Sequence, residues 1–487
     1  TMAMKGLRFA SQAAAQKHGN DLVYSAQMLF SQADYDEALT AAMEAVDVLC
    51  QASEGTIMHG AALSILANCQ HVQDMLEEAE ESYRKALAVK QALGDEDGVA
   101  NVRWNMALLS NKAGDMHTAR DVLLELLEER EQRLGPNHRA TISTVHLLAV
   151  QYRDLAQYDA AIPLYERSLK VRRELGVKKE LGESLASYSW LKMLQGDFDE
   201  AAELSLECLA IEEKEFGPES TEVATTLTQM GGIYEEVGNY AEANAAYQRS
   251  LNILQASKGV SKSSLATTVN NLAVLHGITG QYEKALEGLE RAKELYHSVS
   301  GVDRRVLLRA DCNRAEVHEG MRRYEEALVL VNGMIREWSR LVVDGERPIR
   351  AFLVRGNIHA AQGWRDEALE DFAQALQYIS ETGNNNRKSM GEVHVGIGLA
   401  HLRAKDYTAA LDSASRGRDL MEVSVRLPHF RTGVAYRVLG QAHIALGHLD
   451  DGRRDLAKAL GHFTGAFGED HFVTAEAREL LRAAEQP

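Results

Sequence analysis

Three six-residue stretches decide the fold: residues 196–201 read Gly-Asp-Phe-Asp-Glu-Ala, residues 238–243 read Gly-Asn-Tyr-Ala-Glu-Ala, and residues 280–285 read Gly-Gln-Tyr-Glu-Lys-Ala. Each has a turn residue, an aromatic residue, two mostly polar residues and a final small residue, which we call the anchor. Anchors recur along the chain at Ala38, Ala79, Ala119, Ala161, Ala201, Ala243, Ala285, Ala327, Ala368, Ala410 and Gly452. Successive anchors lie about 41 residues apart, and a nearly fixed period of this length indicates stacked repeats.

A second small residue stands twelve positions before each anchor. This set comprises Ala26, Ala67, Ala107, Ala149, Ser189, Gly231, Ala273, Ala315, Gly356, Gly398 and Gly440. Small residues at paired positions let two helix backbones approach closely, where a larger side chain would hold them apart. Each repeat is therefore predicted to be a hairpin of two antiparallel helices, with the turn marked by a glycine such as Gly238 or Gly280.

The composition agrees with an all-α chain. Only 6 prolines occur in 487 residues, 45% of the residues are apolar, and charges interrupt every apolar run. We therefore expect uninterrupted helices, no whole-chain disorder and no membrane insertion. The 4 cysteines are scattered without a CxxC pair, which favours a reducing compartment, and we expect the protein to be cytoplasmic.

The net charge of -18 lies entirely in the first half of the chain. Residues 1–250 hold 22 Lys and Arg against 40 Asp and Glu, whereas the remaining residues hold 31 of each. This acidic half repels nucleic acid, so no nucleic acid partner is expected. A basic partner could be steered to it, or the charge could serve solubility alone.

The anchor pattern resembles the tetratricopeptide repeat family, whose motif places small residues at the same offsets around a Gly-Tyr-x-x-Ala turn. The period is longer than the family's usual period of about 34 residues, and it is similar to that of the kinesin-light-chain-like subtype, which has about 42 residues per repeat. Residues 135–138 (Gly-Pro-Asn-His) and 216–219 (Phe-Gly-Pro-Glu) resemble the connectors of that subtype, and residues 268–273 (Thr-Val-Asn-Asn-Leu-Ala) resemble its first helix.

The resemblance implies a right-handed superhelical solenoid of about 11 helical hairpins, with the first helix of each hairpin on the inner face. We expect a capping helix over residues 1–19, the solenoid over residues 20–470 and a second capping helix over residues 471–487. These end helices leave homo-oligomer formation open.

No catalytic signature is found in the sequence. The chain has no phosphate-binding glycine loop, no HExxH motif, and no cysteine or carboxylate partners spaced to form a metal site with His394 and His401. We expect no enzyme activity, no catalytic residues, no metal and no cofactor.

The resemblance implies that a partner binds along the inner groove of the solenoid. Transferring the groove positions of the family to this chain gives a principal set of candidate residues: Asn68, His71, Asn101, Trp104, Asn111, Lys112, His146, Arg153, Trp190, Asn270, Arg309, Arg350 and Asn357. The same positions also include Asp154, Glu235, Glu236, Glu316, Glu319, Arg403, Arg437 and Gln441. Asparagine amides can bond the backbone of an extended peptide, and Arg or Lys can bind its carboxylates.

These residues favour a non-enzymatic scaffold or adaptor that binds an extended peptide or a helix of a partner protein in its groove. The alternative is a peptide- or ligand-sensing module that signals to an effector chain by a change of superhelical pitch.

Two arginines depart from the repeat pattern. Arg314 and Arg355 stand where other hairpins have Leu66, Leu148 or Leu272. A buried arginine there requires a carboxylate partner, whereas an exposed one would mark a binding face.

Overall fold

The computed structural model describes residues 11–32, 34–257, 260–299, 302, 304–340, 348–381, 387–424 and 429–486. All regular secondary structure within these residues is helical. The helices are α1 (Gln12–Ser31), α2 (Tyr35–Ser53), α3 (Ile57–Val72), α4 (Leu76–Ala92), α5 (Glu96–Lys112), α6 (Met116–Leu134), α7 (Arg139–Asp154), α8 (Tyr158–Leu175), α9 (Lys178–Gln195), α10 (Phe198–Glu215), α11 (Thr221–Val237), α12 (Tyr240–Ala256), α13 (Lys262–Ile278), α14 (Tyr282–His297), α15 (Arg304–Gly320), α16 (Tyr324–Trp338), α17 (Ile349–Gln362), α18 (Arg365–Glu381), α19 (Arg387–Arg403), α20 (Tyr407–Ser424), α21 (Phe430–Ala445), α22 (Leu449–Phe467) and α23 (Phe472–Glu485).

The helices form hairpins with the predicted period. The second helix of each hairpin begins three residues before its anchor, so successive second helices have the same spacing as the anchors. The residue five positions before the anchor lies in the turn between the two helices and has a positive φ, as Gly238 (φ 85°) and Gly280 (φ 74°) do. Asp74, Ala156, Arg322 and Lys405 adopt this conformation without being glycine, which costs each turn about 1 kcal/mol.

The chain divides into two compact units at Val177, which we call the N-terminal unit and the C-terminal unit. The N-terminal unit contains α1 to α8, and the C-terminal unit contains α9 to α23. Within each unit every helix packs against the next one in chain order, so each unit is an all-α solenoid, as predicted. In the C-terminal unit each first helix also contacts the next first helix, from α9 through to α21, which puts these helices on the inner wall of the stack.

The predicted small residues form the core of each hairpin. The anchors Ala79, Ala161 and Ala243 have no exposed surface, and Tyr83, Tyr165 and Tyr247, four residues after them, are among the largest fully buried side chains. A methyl group on Gly231 would lie 2.5 Å from ring carbons of Tyr247. The close approach of the two helices therefore depends on the small residue at the crossing.

The ends of the chain are described in part. Residues 1–10 of the expected first capping helix lie outside the described residues, and α1, which includes residue 19, is the first helix of the first hairpin. At the other end, α23 packs against α22 without a following helix among the described residues.

The crossing predicts the effect of a single methyl group. Replacing Gly231 by Ala should destabilise the C-terminal unit by about 1–3 kcal/mol, because the methyl group overpacks against the buried ring of Tyr247. The matched control is Gly461→Ala in the middle of α22, where a methyl group meets no other heavy atom within 4 Å. This control should stabilise by about 0.5–1 kcal/mol through helix propensity. Urea midpoints measured by circular dichroism test both variants, and equal shifts would contradict the crossing argument.

Candidate functional site

The inner wall of the C-terminal unit contains two adjoining cavities. The first, which we call the polar cavity, has a volume of about 610 Å³ and lies along α9, α11 and α13. The second, the charged cavity, has a volume of about 360 Å³ and lies along α13, α15, α17, α19 and α21. Val274 and Asn313 line both cavities, so the two are neighbouring parts of one groove.

Hydroxyl and amide groups line much of the polar cavity. The Thr228 hydroxyl lies 2.8 Å from the Ser250 hydroxyl and 2.9 Å from the Thr268 hydroxyl. Asn313 donates from Nδ2 to Oδ1 of Asn270 at 3.1 Å, which links α15 to α13 where the two cavities meet. Trp190 adds an aromatic side chain that is 41% exposed. The three hydroxyls also donate to backbone oxygens of Ala224 and Ser264, so the amide side chains of this wall supply the groups that can bond a peptide backbone.

An alternating row of charges crosses the charged cavity. The carboxylate of Glu316 binds the guanidinium of Arg350 through two hydrogen bonds, the second of 2.6 Å. Arg350 Nη1 lies 3.5 Å from Glu392 Oε2, and Arg431 Nη1 lies 3.0 Å from Glu392 Oε1. Glu392 is almost fully buried, with 9% of its side chain exposed, and the two arginines balance its charge, although its Oε1 accepts no hydrogen bond.

The row continues across the groove to α11. Lys388 on α19 donates to Glu236, which precedes it in the chain by 152 positions. Burial alone would raise the pKa of Glu236, but Lys388 and Arg431 outweigh it and lower that pKa to about 2. We call Glu236, Glu316, Arg350, Lys388, Glu392 and Arg431 the charge ladder.

Aromatic contacts also cross the groove. Tyr240 at the start of α12 stacks on Phe467 at the end of α22, with ring centroids 5.6 Å apart. Tyr282 lies 6.3 Å from Phe472, the first residue of α23, measured between ring centroids. We call these four residues the clasp. The clasp and the Lys388–Glu236 pair join early and late helices of the C-terminal unit across the groove, and Tyr282, Phe467 and Phe472 line the charged cavity.

Two carboxyl groups on the inner wall lie outside the ladder. Burial and the neighbouring Glu236 raise the pKa of Glu235 to about 7, and burial and Glu316 raise the pKa of Glu319 to about 8. Glu235 accepts a hydrogen bond of 3.2 Å from the Tyr247 hydroxyl and lines the polar cavity. Glu319 lines the charged cavity.

Four of the principal candidate residues from the sequence lie on these cavities, and so do five of the additional ones: Glu235, Glu236, Glu316, Glu319 and Arg437. Trp190 and Asn270 line the polar cavity, and Arg350 and Asn357 line the charged cavity. Arg309, on the exposed side of α15, is outside the lining of both.

The asparagine and lysine candidates of the N-terminal unit bind neighbouring side chains or backbone. Asn68 accepts from the Tyr83 hydroxyl at 2.7 Å and from Nδ2 of Asn105 at 3.1 Å, while Asn101 accepts from Arg130 at 3.2 Å. Lys112 reaches the preceding hairpin, where its ammonium lies 2.5 Å from Asp74 and donates to the backbone oxygen of His71 at 2.9 Å. Asn111, next to Lys112 near the end of α5, is half-buried.

The aromatic and remaining candidates of that unit pack locally. The His71 ring meets Tyr83 edge-on, and the His146 ring meets Tyr165 edge-on at 6.1 Å, with its pKa lowered to about 3 by burial and by Arg172. Trp104 packs against the buried cluster that contains Leu123. Arg153 donates to Asp154 at 2.9 and 2.7 Å.

Sequence reasoning missed part of the site. Asn313, Lys388, Glu392, Arg431 and the clasp were not among the candidates. Glu392 could have been found, because it stands eighteen residues before its anchor, as Arg350 does. Lys388 and Arg431 lie outside the transferred groove positions, and they reach the site only because the stack brings α19 and α21 towards α11.

The two unusual arginines have carboxylate partners. Arg355 donates to the buried carboxylate of Asp371 from Nε at 3.0 Å and from Nη2 at 2.5 Å, and His359 Nδ1 lies 3.0 Å from the same group. Arg314 Nη2 lies 3.4 Å from Glu290, and its Nη1 lies 3.4 Å from Asp311. Both arginines are partly buried and both are paired with carboxylates, Arg355 with a buried one.

Replacing Arg355 by Leu should destabilise the C-terminal unit by roughly 3–5 kcal/mol, because Asp371, with 4% of its side chain exposed, loses its main cation. The double variant Arg355→Leu/Asp371→Leu should recover much of this loss, since other hairpins have leucine in place of Arg355. Thermal unfolding of both variants measures the difference. A double variant that is less stable than Arg355→Leu would contradict this assignment.

Neither a metal site nor a membrane span is found in the part of the chain that the structure describes. Within it, no three His, Cys, Asp or Glu side chains are grouped so as to hold a metal ion. No described helix is both long enough and apolar enough to cross a membrane.

Comparison with known proteins identifies the repeat. A tetratricopeptide repeat family model matches residues 98–174, 191–256 and 264–332. No curated protein matches the sequence. The matched segments of the chain are therefore tetratricopeptide repeats.

Solved structures of similar fold have low sequence identity. A Rap protein complexed with competence and sporulation factor matches 79% of this chain and 97% of its own, with 13% identity and a TM-score of 0.52. Yeast Tom70 matches 96% of both chains with 14% identity and a TM-score of 0.39. The first of these supports the fold.

The raised pKa of Glu319 predicts a pH dependence. The pKa of Glu319 in the folded chain, about 8, lies above its ordinary value. The protonated carboxyl therefore contributes fully to the stability of the folded chain below about pH 4.5, and this contribution is lost as the pH rises through 8. Glu319→Gln removes this loss. The melting temperature of the variant relative to the natural chain should therefore rise between pH 5 and pH 9. Replacing the exposed Glu203 by Gln is the control, and an equal trend in both variants would refute the assignment.

Proposed function

We propose that this protein is a non-enzymatic interaction scaffold whose C-terminal unit binds an extended peptide segment of a partner protein in its inner groove. The observation that supports this most directly is the polar cavity, where hydroxyl and amide groups follow one another along α11, α13 and α15. An extended peptide presents an N–H and a C=O at every residue, and a wall of such groups binds them without selecting one sequence.

The adjoining charged cavity supplies the other half of a peptide site. Besides its charges it is lined by apolar side chains, including Val317, Leu353 and Val354. Apolar pockets beside convergent polar groups are typical of sites that bind alternate side chains of an extended segment.

The alternative, a sensor that signals by a change of pitch, is favoured by the clasp itself. The Tyr240–Phe467 stack and the Lys388–Glu236 pair join helices far apart in sequence across the groove. A ligand that separates these contacts would change the curvature of the C-terminal unit, which is the two-state element a sensor needs. The similar Rap protein is complexed with competence and sporulation factor, which also supports ligand binding by this fold.

Other features support the remaining parts of the proposal. The period of the hairpins, which matches that of the anchors, supports the kinesin-light-chain-like subtype. The described cysteines are free thiols, which supports a cytoplasmic location. We propose α23 as a cap on α22 and assign no nucleic acid partner to the acidic first half.

The test uses the full chain and a phage-displayed library of random heptapeptides. Peptides selected on the natural chain are synthesised, and their Kd is measured by calorimetry. The double variant Asn270→Ala/Asn313→Ala should weaken binding roughly 30-fold, at about 1 kcal/mol for each lost amide bond. Circular dichroism checks that the variant is folded.

Asn101→Ala/Asn111→Ala is the matched control in the N-terminal unit and should leave the Kd unchanged. Failure to select any peptide, or loss of binding in the control pair alone, would refute the proposed site. Hydrogen exchange of α22 and α23 separates the two functions: faster exchange with peptide bound indicates a sensor, and unchanged exchange indicates a scaffold.

A further inference from the structure

The charges on the inner wall of the C-terminal unit are nearly balanced. The charge ladder holds three acids, Glu236, Glu316 and Glu392, against three bases, Arg350, Lys388 and Arg431, and each is within ion-pair distance of an opposite charge. The additional arginine on the charged cavity, Arg437, lies 3.6 Å from Glu476 on α23. The cations that line the groove therefore already have anionic partners.

Glu235 and Glu319 are the exceptions. Neither forms an ion pair with a cation among the residues that the structure describes. Lys388 and Arg431 act on Glu235 from a distance, but they are bound to Glu236 and Glu392. Both side chains are partly buried. Burial and repulsion from Glu236 or Glu316 raise the pKa of each group, so its ionised form is costly without a partner.

The two carboxyls share one place in the repeat. Glu235 stands eight residues before the anchor Ala243, and Glu319 stands eight residues before the anchor Ala327. The hairpin between them has Gly277 at this position, so the wall has no side chain there. Gly277 itself lines the charged cavity. Each carboxyl therefore faces a different cavity of the same groove.

We infer that the ligand of this groove carries cationic groups, ammonium or guanidinium, which bind Glu235 in the polar cavity and Glu319 in the charged cavity. This inference rests on the proposed function, and it adds the chemistry of the ligand. A cation would supply the partner that each carboxyl lacks, and the carboxyl would release its proton as the ion pair forms. Val274 and Val317 on the cavity walls can pack against the aliphatic part of a lysine or arginine side chain.

The test compares pools of acetylated and amidated hexapeptides. Each pool fixes one position as Arg, Gln or Glu and varies the others among Ala, Ser, Leu and Val. Binding to the full chain is measured from the rise in melting temperature with pool concentration. Pools with Arg at the favoured position should bind at least tenfold more tightly than the matched Gln pools, and Glu pools should bind most weakly.

Single variants assign the effect to each carboxyl. Glu319→Gln and Glu235→Gln should each remove the Arg advantage at one position while leaving the Gln pools unchanged, and Glu203→Gln should change neither. Calorimetry of the best single Arg peptide at pH 7, in buffers of different ionisation enthalpy, should show proton release, and less of it in the Glu319→Gln variant.

The outcomes distinguish this inference from the proposed function. Equal binding of the Arg and Gln pools overturns the cationic ligand and leaves peptide binding intact. Preference for the Glu pools also overturns it and assigns recognition to the arginines of the charged cavity. No binding by any pool means that the proposed function fails, and the inference fails with it.

Discussion

The structure depends on the close crossing of two helices in every hairpin. At each crossing a small residue of the first helix faces the second helix, and in several hairpins a bulky ring packs beside it, as Tyr247 does beside Gly231 and Phe372 does beside Gly356. The contact leaves no room for a larger side chain, so it fixes the distance between the helices. Because the same contact recurs with the period of the repeat, the hairpins are alike and can stack in order.

In a stack of like hairpins, the side chains of the inner wall are not needed to hold the fold and can serve binding. The crossing and the buried anchors hold the fold, so residues of the first helices that face the groove need only tolerate water. In the C-terminal unit these positions hold hydroxyls and amides along α11 and α13, and alternating charges along α15, α17 and α19. Burial on this wall, together with the neighbouring charges, shifts the pKa values of Glu235, Glu236 and Glu319.

The sequence predicted which residues face the groove better than it predicted which of their polar groups are available to bind a ligand. Trp190, Asn270, Arg350 and Asn357 follow from the repeat register, and the structure places them on the cavities. Asn101 and Lys112 were predicted from the repeat register in the same way, but they bind Arg130 and Asp74 within the N-terminal unit. Register gives the face of a helix that a residue occupies. It does not give the partner, because a long side chain can reach the neighbouring hairpin.

The sequence by itself determined the helical hairpin, its period, its turns and its buried small residues, because each of these is a local or short-range constraint repeated many times. It also singled out Arg355 as a departure from the repeat, and it left open whether this arginine is paired with a carboxylate or exposed. Only the tertiary structure decided that Lys388 binds Glu236, that Phe467 stacks on Tyr240, and that Glu235 and Glu319 lack cationic partners. The two contacts join residues more than a hundred positions apart in the chain. The lack of cationic partners likewise depends on which distant residues reach Glu235 and Glu319. They follow from the accumulated curvature of many hairpins, which no single repeat encodes.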